Sequence, residues 1–266
     1  MNTPVRSPAD VFVARDGKEN EMKDLFSQHA SGYAAFRPTY PEALYDFVLK
    51  QVKERHTAWD CGTGNGQVAR DLAKYFDKVF ATDSSIKQLE NAATADNIQY
   101  SLAPAEKTSF PDASFDLITV GQAIHWFNIA AFNCEAMRVA KPGGVIAVWG
   151  YSLLSVDPPI NALIAHFYKN IVGAYWDPER KLVDEQYKTI PFPFDEIPSP
   201  EFSYSFQWSL PELQGYLRTW SAVQKYINHK GVNPVMKLVE EIQPLWKGER
   251  MEVRFQLFVR CGRIRA

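Results

Sequence analysis

Ten residues, Trp59-Asp60-Cys61-Gly62-Thr63-Gly64-Asn65-Gly66-Gln67-Val68, constrain what this chain can fold into more than any other stretch. A short apolar approach ends in an acid, and three glycines follow at every second position. Val68, Leu72 and Phe76 then recur four residues apart, the spacing of one helix face. The pattern predicts a strand, a tight glycine turn and a helix N-terminus. Glycine suits such a turn because it reaches positive φ freely and lets a ligand approach without a Cβ in the way. On the glycines alone, a βα loop that merely turns is an equal reading.

The next forty residues decide between them. Lys78-Val79-Phe80-Ala81-Thr82-Asp83 reads as a second strand ending in an acid. An acid about 20 residues past a glycine turn is where a βαβ unit holds ribose hydroxyls. Ser85 and Gln88 have capping-box spacing and predict a helix to about Ala95. Gln67 stands where a dinucleotide fingerprint needs a third small residue, so the turn is G-x-G-x-G. That spacing points away from a nicotinamide cofactor and toward one bearing a single nucleoside.

Strands and helices alternate from there to about residue 150. Strands are predicted at 98–102, 115–120 and 145–149, with a helix over 130–139 stopped by Lys141-Pro142-Gly143-Gly144. Ahead of them, Thr39 and Glu42 form a capping box around Pro41, and Leu44, Val48, Leu49 and Val52 make a core-facing stripe. Five strands alternating with helices imply a parallel sheet with right-handed crossovers. Beyond Gly150 the alternation breaks. A helix is predicted from Asp157 to about Gly173, and Tyr175 to Pro200 carries no clear period. A strand over 202–208 follows, then one helix opened by Ser209-Leu210-Pro211-Glu212 and ending near Gly231, another from Pro234 to about Trp246, and a last strand over 253–259.

In order, Asp60 to Gly66, Asp83, and Ala105-Glu106 with Phe115-Asp116-Leu117-Ile118-Thr119 resemble the class I S-adenosylmethionine-dependent methyltransferases. Tyr33 to Pro41, His125-Trp126-Phe127 and Thr219 to Gln224 resemble the branch that contains trans-aconitate methyltransferase. The resemblance spans roughly residues 22–263. It implies an α/β fold: a Rossmann-like doubly wound, mostly parallel seven-stranded sheet with an antiparallel last strand and a helical cap insertion. It also divides the chain into a flexible segment, 1–21, and a methyltransferase domain, 22–266, with 151–200 as the substrate-cap insertion.

The same resemblance supplies a site. S-adenosyl-L-methionine is the implied cofactor, held by Tyr33, Arg37, Asp60, Cys61, Gly62, Thr63, Gly64, Gly66, Asp83, Ser84, Ala105, Glu106, Gln122 and His125. His125 and Arg37 are the implied catalytic pair, and no metal is expected. Asp60 either holds the cofactor's ammonium group, orients the loop or caps the following turn. Pro104 stands where many relatives have an acid for the adenine amino group, so backbone contacts are expected there. His125 is a general base, a substrate hydrogen-bond donor or a packing residue. Tyr33, Phe36, Trp126 and Trp149 are candidates to line a methyl-transfer cavity, with Trp149 better read as core. Arg37 is the first candidate cation for an acidic substrate and Arg180 the second. Trp176, Arg180 and Lys181 are otherwise a solvated face.

Composition narrows the partners. Twenty-nine Lys and Arg against 31 Asp and Glu give a net charge of −2, with no basic run to attract nucleic acid. No apolar stretch reaches membrane-spanning length, and the first twenty residues lack the apolar core of a signal peptide. Three scattered cysteines without metal-ligand spacing fit a reducing cytoplasm. The expected partner is a small molecule, which the resemblance implies is a trans-aconitate-like carboxylic acid methylated on oxygen, and the protein is expected to be a monomer or weak homodimer. A phenol, quinone or amine acceptor is the alternative, and a cofactor-binding module without turnover a second.

Overall fold

A computed structural model of the chain describes residues 39–265. After α1 (Glu42–Gln51), strands and helices alternate through β1 (Thr57–Cys61), α2 (Gln67–Leu72), β2 (Lys78–Asp83), α3 (Ile86–Leu89) and β3 (Ile98–Leu102). Then come β4 (Phe115–Gly121), a 3-10 turn over Ile124–Trp126, α4 (Ile129–Val139) and β5 (Ala140–Tyr151). β1 to β5 are mutually parallel in the order β3-β2-β1-β4-β5.

The second half builds a roof and returns to the sheet. It comprises α5 (Pro158–His166), a wider π turn at Phe167–Ile171, α6 (Arg180–Asp184), β6 (Asp195–Ile197) and β7 (Phe202–Trp208). It ends with α7 (Leu210–Arg218), α8 (Ser221–Lys230), α9 (Val235–Ile242) and β8 (Met251–Arg263). β8 runs antiparallel to β5 along residues 257–263. Its other edge is shared: β6 pairs with its last three residues and β7 with residues 251–257. The α/β, Rossmann-like architecture is as expected, seven strands wide. The seventh position is divided between two short strands, so the strands number eight.

Alternation along the strands explains the layering. On β5, Val145, Ala147 and Trp149 pack with α1 and α2 on one face, while Ile146 and Val148 pack with Phe132, Ala136 and Val139 of α4 on the other. A parallel sheet covered on both faces needs near-continuous apolar strands, which is how β4 reads.

Local predictions failed where another group took the hydrogen bond. α1 begins two residues later than a Thr39 cap predicts, with Pro41 at its N-cap and no side-chain cap. α3 is a single turn, and its capping box does not form: Asp83 Oδ1 accepts the Ser85 N–H at 2.8 Å that Gln88 would need. The Ser209–Glu212 capping box forms as expected, but its helix stops at Thr219 and restarts after Trp220. Among the described residues no helix is long and apolar enough to cross a membrane.

Phe255 of β8 is fully buried, with the rings of Tyr151, Tyr204, Trp208 and Tyr216 all within 5.7 Å between centroids. Phe255→Ala is expected to cost about 3–5 kcal/mol of unfolding free energy. Denaturant titration checks this; a loss under about 1 kcal/mol contradicts the packing described.

Candidate active site

The strand order reverses between β1 and β4, and open α/β sheets keep ligands in the crevice at such a switch. Here the glycine turn leaves β1 and Gln122 leaves β4, and the two loops abut. A Cβ on Gly62 would lie 2.7 Å from the Cβ of Ala123, and Gly62 has φ +67°. One turn further, a Cβ on Gly66 would meet the Tyr100 hydroxyl at 2.1 Å. These positions admit only glycine because the chain turns under φ > 0 in a space that is already full.

Asp83 fastens the turn to β2. Its Oδ2 accepts the Gly64 N–H at 2.9 Å, and its Oδ1 accepts that of Ser85. Burial pushes its pKa up, and the backbone N–H groups offset only part of that rise. Each carboxylate oxygen keeps accepting capacity for a ligand hydroxyl.

A cleft of about 560 Å³ opens beside this turn. That volume falls in the roughly 300–1,000 Å³ range of small-molecule sites. Of the residues expected from sequence, Gly62, Thr63, Gly64, Asp83, Ser84, Ala105, Glu106 and Gln122 line it. Asp60, Cys61 and Gly66 do not; they lie beneath the turn. Asp60 accepts hydrogen bonds from the Thr63 and Thr119 hydroxyls, which makes it the turn's internal anchor. Glu106 accepts the Asn128 N–H at 2.7 Å and so ties the cleft wall to the start of α4. Tyr33, Phe36 and Arg37 fall outside the described residues.

A smaller chamber adjoins the cleft and shares Gln122, Trp126 and Tyr151 with it. Its remaining lining includes His125, Trp176, Asp177, Arg180, Tyr216 and Trp220. Gln122 at the seam has φ +55°, rare for a residue with a side chain. Its Oε1 accepts the Tyr151 N–H at 2.8 Å, across a space that a Cβ on Gly150 would invade. Trp149 is buried in the core against Tyr40 and Tyr45 and lines neither cavity. Tyr216 and Trp220 come from beyond residues 151–200, so the chamber's walls extend past the expected insertion.

Arg180 lies in this chamber and not on a solvated face. Its side chain is 20% exposed and stacks over Trp176 at 4.9 Å. Its Nε donates to the Tyr168 hydroxyl at 2.9 Å, and that hydroxyl donates to Asp184. Among the described residues this is the guanidinium's only hydrogen bond; the same Nε forms an ion pair with Asp184 at 3.4 Å, and the Nη groups have no hydrogen-bond or ion-pair partner there. Asp177 is answered by Lys225, and Lys181 points to solvent beside Glu185. His125 is buried, with Nδ1 2.9 Å from the Tyr187 hydroxyl.

Three comparisons place this geometry. A model of the methyltransferase domain matches residues 59–148. A Dictyostelium discoideum protein described as a methyltransferase is 37% identical over 243 residues, covering 89% of this chain and 88% of its own. The chain belongs to the class I S-adenosylmethionine-dependent methyltransferases. A type II methyltransferase from Anaeromyxobacter dehalogenans has a solved structure that superposes on this methyltransferase with a TM-score of 0.80 at 36% identity. That match covers 86% of this chain and 99% of that one. A Saccharomyces cerevisiae S-adenosylmethionine-dependent methyltransferase matches at 29% over 138 residues, 48% of this chain and 46% of its own.

The methyltransferase's own residues fit such a cofactor. Gln88 is 6% exposed and lines the cleft, yet its Oε1 has no partner among the described residues. Asp83 has taken the Ser85 N–H that would otherwise satisfy it. Buried acceptors are rarely left unpaired, so Gln88 could accept a hydrogen bond from a ligand in the cleft. The glycine turn could hold an amino-acid portion, Asp83 a ribose, and the Leu102–Glu106 wall a base. Sequence reasoning missed Gln88 because it reads as a helix-capping partner, and missed Tyr187 because nothing in sequence singles it out.

Desolvation raises Asp60 to about 7, against about 3.9 in an unfolded chain. Between those values the folded state holds a proton that the unfolded state has lost. Asp60 therefore contributes stability at low pH that declines as pH rises from about 4 to 7. Asp60→Asn should remove this slope, up to about 1.4 kcal/mol per pH unit. Unfolding curves of both proteins across that window, running parallel, would contradict the assignment.

Proposed function

We propose that this methyltransferase uses S-adenosyl-L-methionine to methylate a small carboxylic acid on a carboxylate oxygen. One observation carries the acceptor half of this reading: Arg180, with its Nη groups uncommitted among the described residues, lies in an aromatic chamber that adjoins the cleft. An anion entering such a chamber needs a partner, because an unpaired buried charge is costly. A guanidinium meets a carboxylate through two parallel hydrogen bonds, which fixes orientation as well as charge.

When bound, the cofactor's sulfonium supplies the methyl group for in-line displacement. The chain's residues do the rest. Gln88 and Asp83 accept hydrogen bonds from the cofactor, and the glycine turn lets it approach. Trp126, Tyr151, Trp176 and Trp220 exclude water around the acceptor. Arg180 holds the carboxylate, and His125 orients it. No general base is required, because a carboxylate is already ionised at pH 7. Anion and sulfonium neutralise one another on the way to products, so a dry chamber favours the step.

Two measurements check this reading. Calorimetry should show S-adenosylmethionine binding that Asp83→Ala weakens by about 1.5–3 kcal/mol, the range for a charge-assisted hydrogen bond. Equal binding by the variant defeats the cofactor assignment. For the acceptor, kcat/KM is compared for a dicarboxylic acid and a neutral phenol in wild type and Arg180→Lys. The acid should lose about tenfold or more, since lysine cannot form the bidentate fork, and the phenol little. A phenol that is the better wild-type substrate, or equal losses for both, sinks the carboxylate reading.

A further inference from the structure

We propose that Tyr187 is a positioning residue for methyl transfer: its buried hydroxyl donates to His125 Nδ1 and holds the imidazole as the neutral Nε2–H tautomer. Held this way, His125 presents a hydrogen-bond donor to the chamber and no lone pair on Nε2 with which to act as a base. This inference rests on the reading of His125 as the group that orients the acceptor.

The assignment follows from counting donors. Tyr187 is 1% exposed, and among the described residues its hydroxyl has one hydrogen-bond partner, His125 Nδ1 at 2.9 Å. Burial pushes the phenol's pKa above its ordinary value, which already lies well above neutral pH, so the hydroxyl keeps its proton. If Nδ1 also carried a proton, two donors would face each other and the hydroxyl's would be left over. Buried donors are seldom left unpaired. With Tyr187 donating, Nδ1 accepts, and the single N–H of a neutral imidazole sits on Nε2. Which ring nitrogen carries the proton is commonly fixed by the bond the other one makes.

The surroundings spend several contacts on holding Tyr187 in place. Gln186 and Tyr187 have φ of +57° and +58°, two consecutive left-handed residues with side chains. Such backbone persists only where its neighbours over-determine it. The Tyr187 N–H donates to the Leu182 carbonyl at 2.8 Å. Arg260 Nη1 donates to the carbonyls of Tyr187 and Ile190, at 3.1 and 2.6 Å. Arg260 is itself fixed by Glu196, with both Nε and Nη2 engaged at 2.9 and 3.0 Å. Phe258 meets the Tyr187 ring edge-on at 5.0 Å, and Trp126 packs on His125 at 4.6 Å. A ring needed only to fill space would require neither the left-handed turn nor the arginine beneath it.

The test reads the proton directly. The full-length protein is labelled with 15N in its histidine rings, and long-range proton–nitrogen spectra are recorded near neutral pH. The His125 signal is identified by its loss in His125→Gln. Wild type should show His125 protonated on Nε2 alone, and Tyr187→Phe should show a mixture with Nδ1–H. For turnover of a dicarboxylic acid, Tyr187→Phe should lower kcat by about tenfold, as loss of an orienting partner typically does, with cofactor affinity unchanged. Added to His125→Gln, it should change kcat by less than about twofold, because the two side chains act as one unit. A wild-type ring protonated on Nδ1 overturns the proposal without any variant having to fold. So does an unchanged tautomer in Tyr187→Phe, or an undiminished effect in the double variant. The tautomer result holds whichever acceptor proves to be the substrate, so its failure is distinct from failure of the carboxylate reading.

Discussion

The carboxylate of Asp83 is the tie on which this site depends. One oxygen takes the Gly64 N–H and the other that of Ser85, so the end of β2 and the turn after β1 move as one piece. Backbone amides in left-handed turns have no helix or sheet partners, and a buried one left alone is costly. Asp83 resolves that problem and in doing so displaces Gln88 from the role its spacing suggests. Asp60 works from below, gripping Thr63 and Thr119 so that the turn and β4 share a floor. Two acids near the ends of adjacent strands thus have separate tasks, one structural and hidden, one open to the cleft.

Most of the sheet was legible because its signals are local. A parallel sheet buried on both faces demands continuous apolar strands, and β1, β2, β4 and β5 announce themselves that way. The glycine turn was legible because few other residues tolerate its φ. The chamber was not. Arg180 follows Trp176 in a stretch without period, and only the fold turns it inward over that indole. β6 has three residues, two of them exposed, too short for any alternation to register. The helix predicted to run from Leu210 to Gly231 breaks at Trp220, whose ring is needed in the chamber wall. A packing demand of that kind leaves no mark on helical periodicity.

The cleft and the chamber differ in what they are made of. The cleft is bounded by backbone: glycine amides, strand ends and the carboxylates that hold them. The chamber is bounded by large side chains from the 3-10 turn after β4, the end of β5, the segment leading into α6 and the α7–α8 corner. Backbone surfaces change little when sequence changes, whereas a wall of indoles and phenols is rewritten by single substitutions. Gln122 stands where the two meet, with its strained backbone fixed by Trp149 and its amide by Tyr151.

The divided outer edge of β8 has a consequence for how such an enzyme can diversify. Residues 152–194 leave the sheet after β5 and rejoin it at β6, and both strands are registered on β8. Only β8 must keep its length and alignment for the loop between them to close. Duplications, deletions or wholesale replacement of that loop can therefore accumulate while the half that carries the glycine turn and the cleft stays constant. In such a lineage the loop's share of the chamber changes independently of the cleft, while Gln122, Trp126, Tyr216 and Trp220 stay with the sheet half, and the hinge between the two histories is a single antiparallel strand.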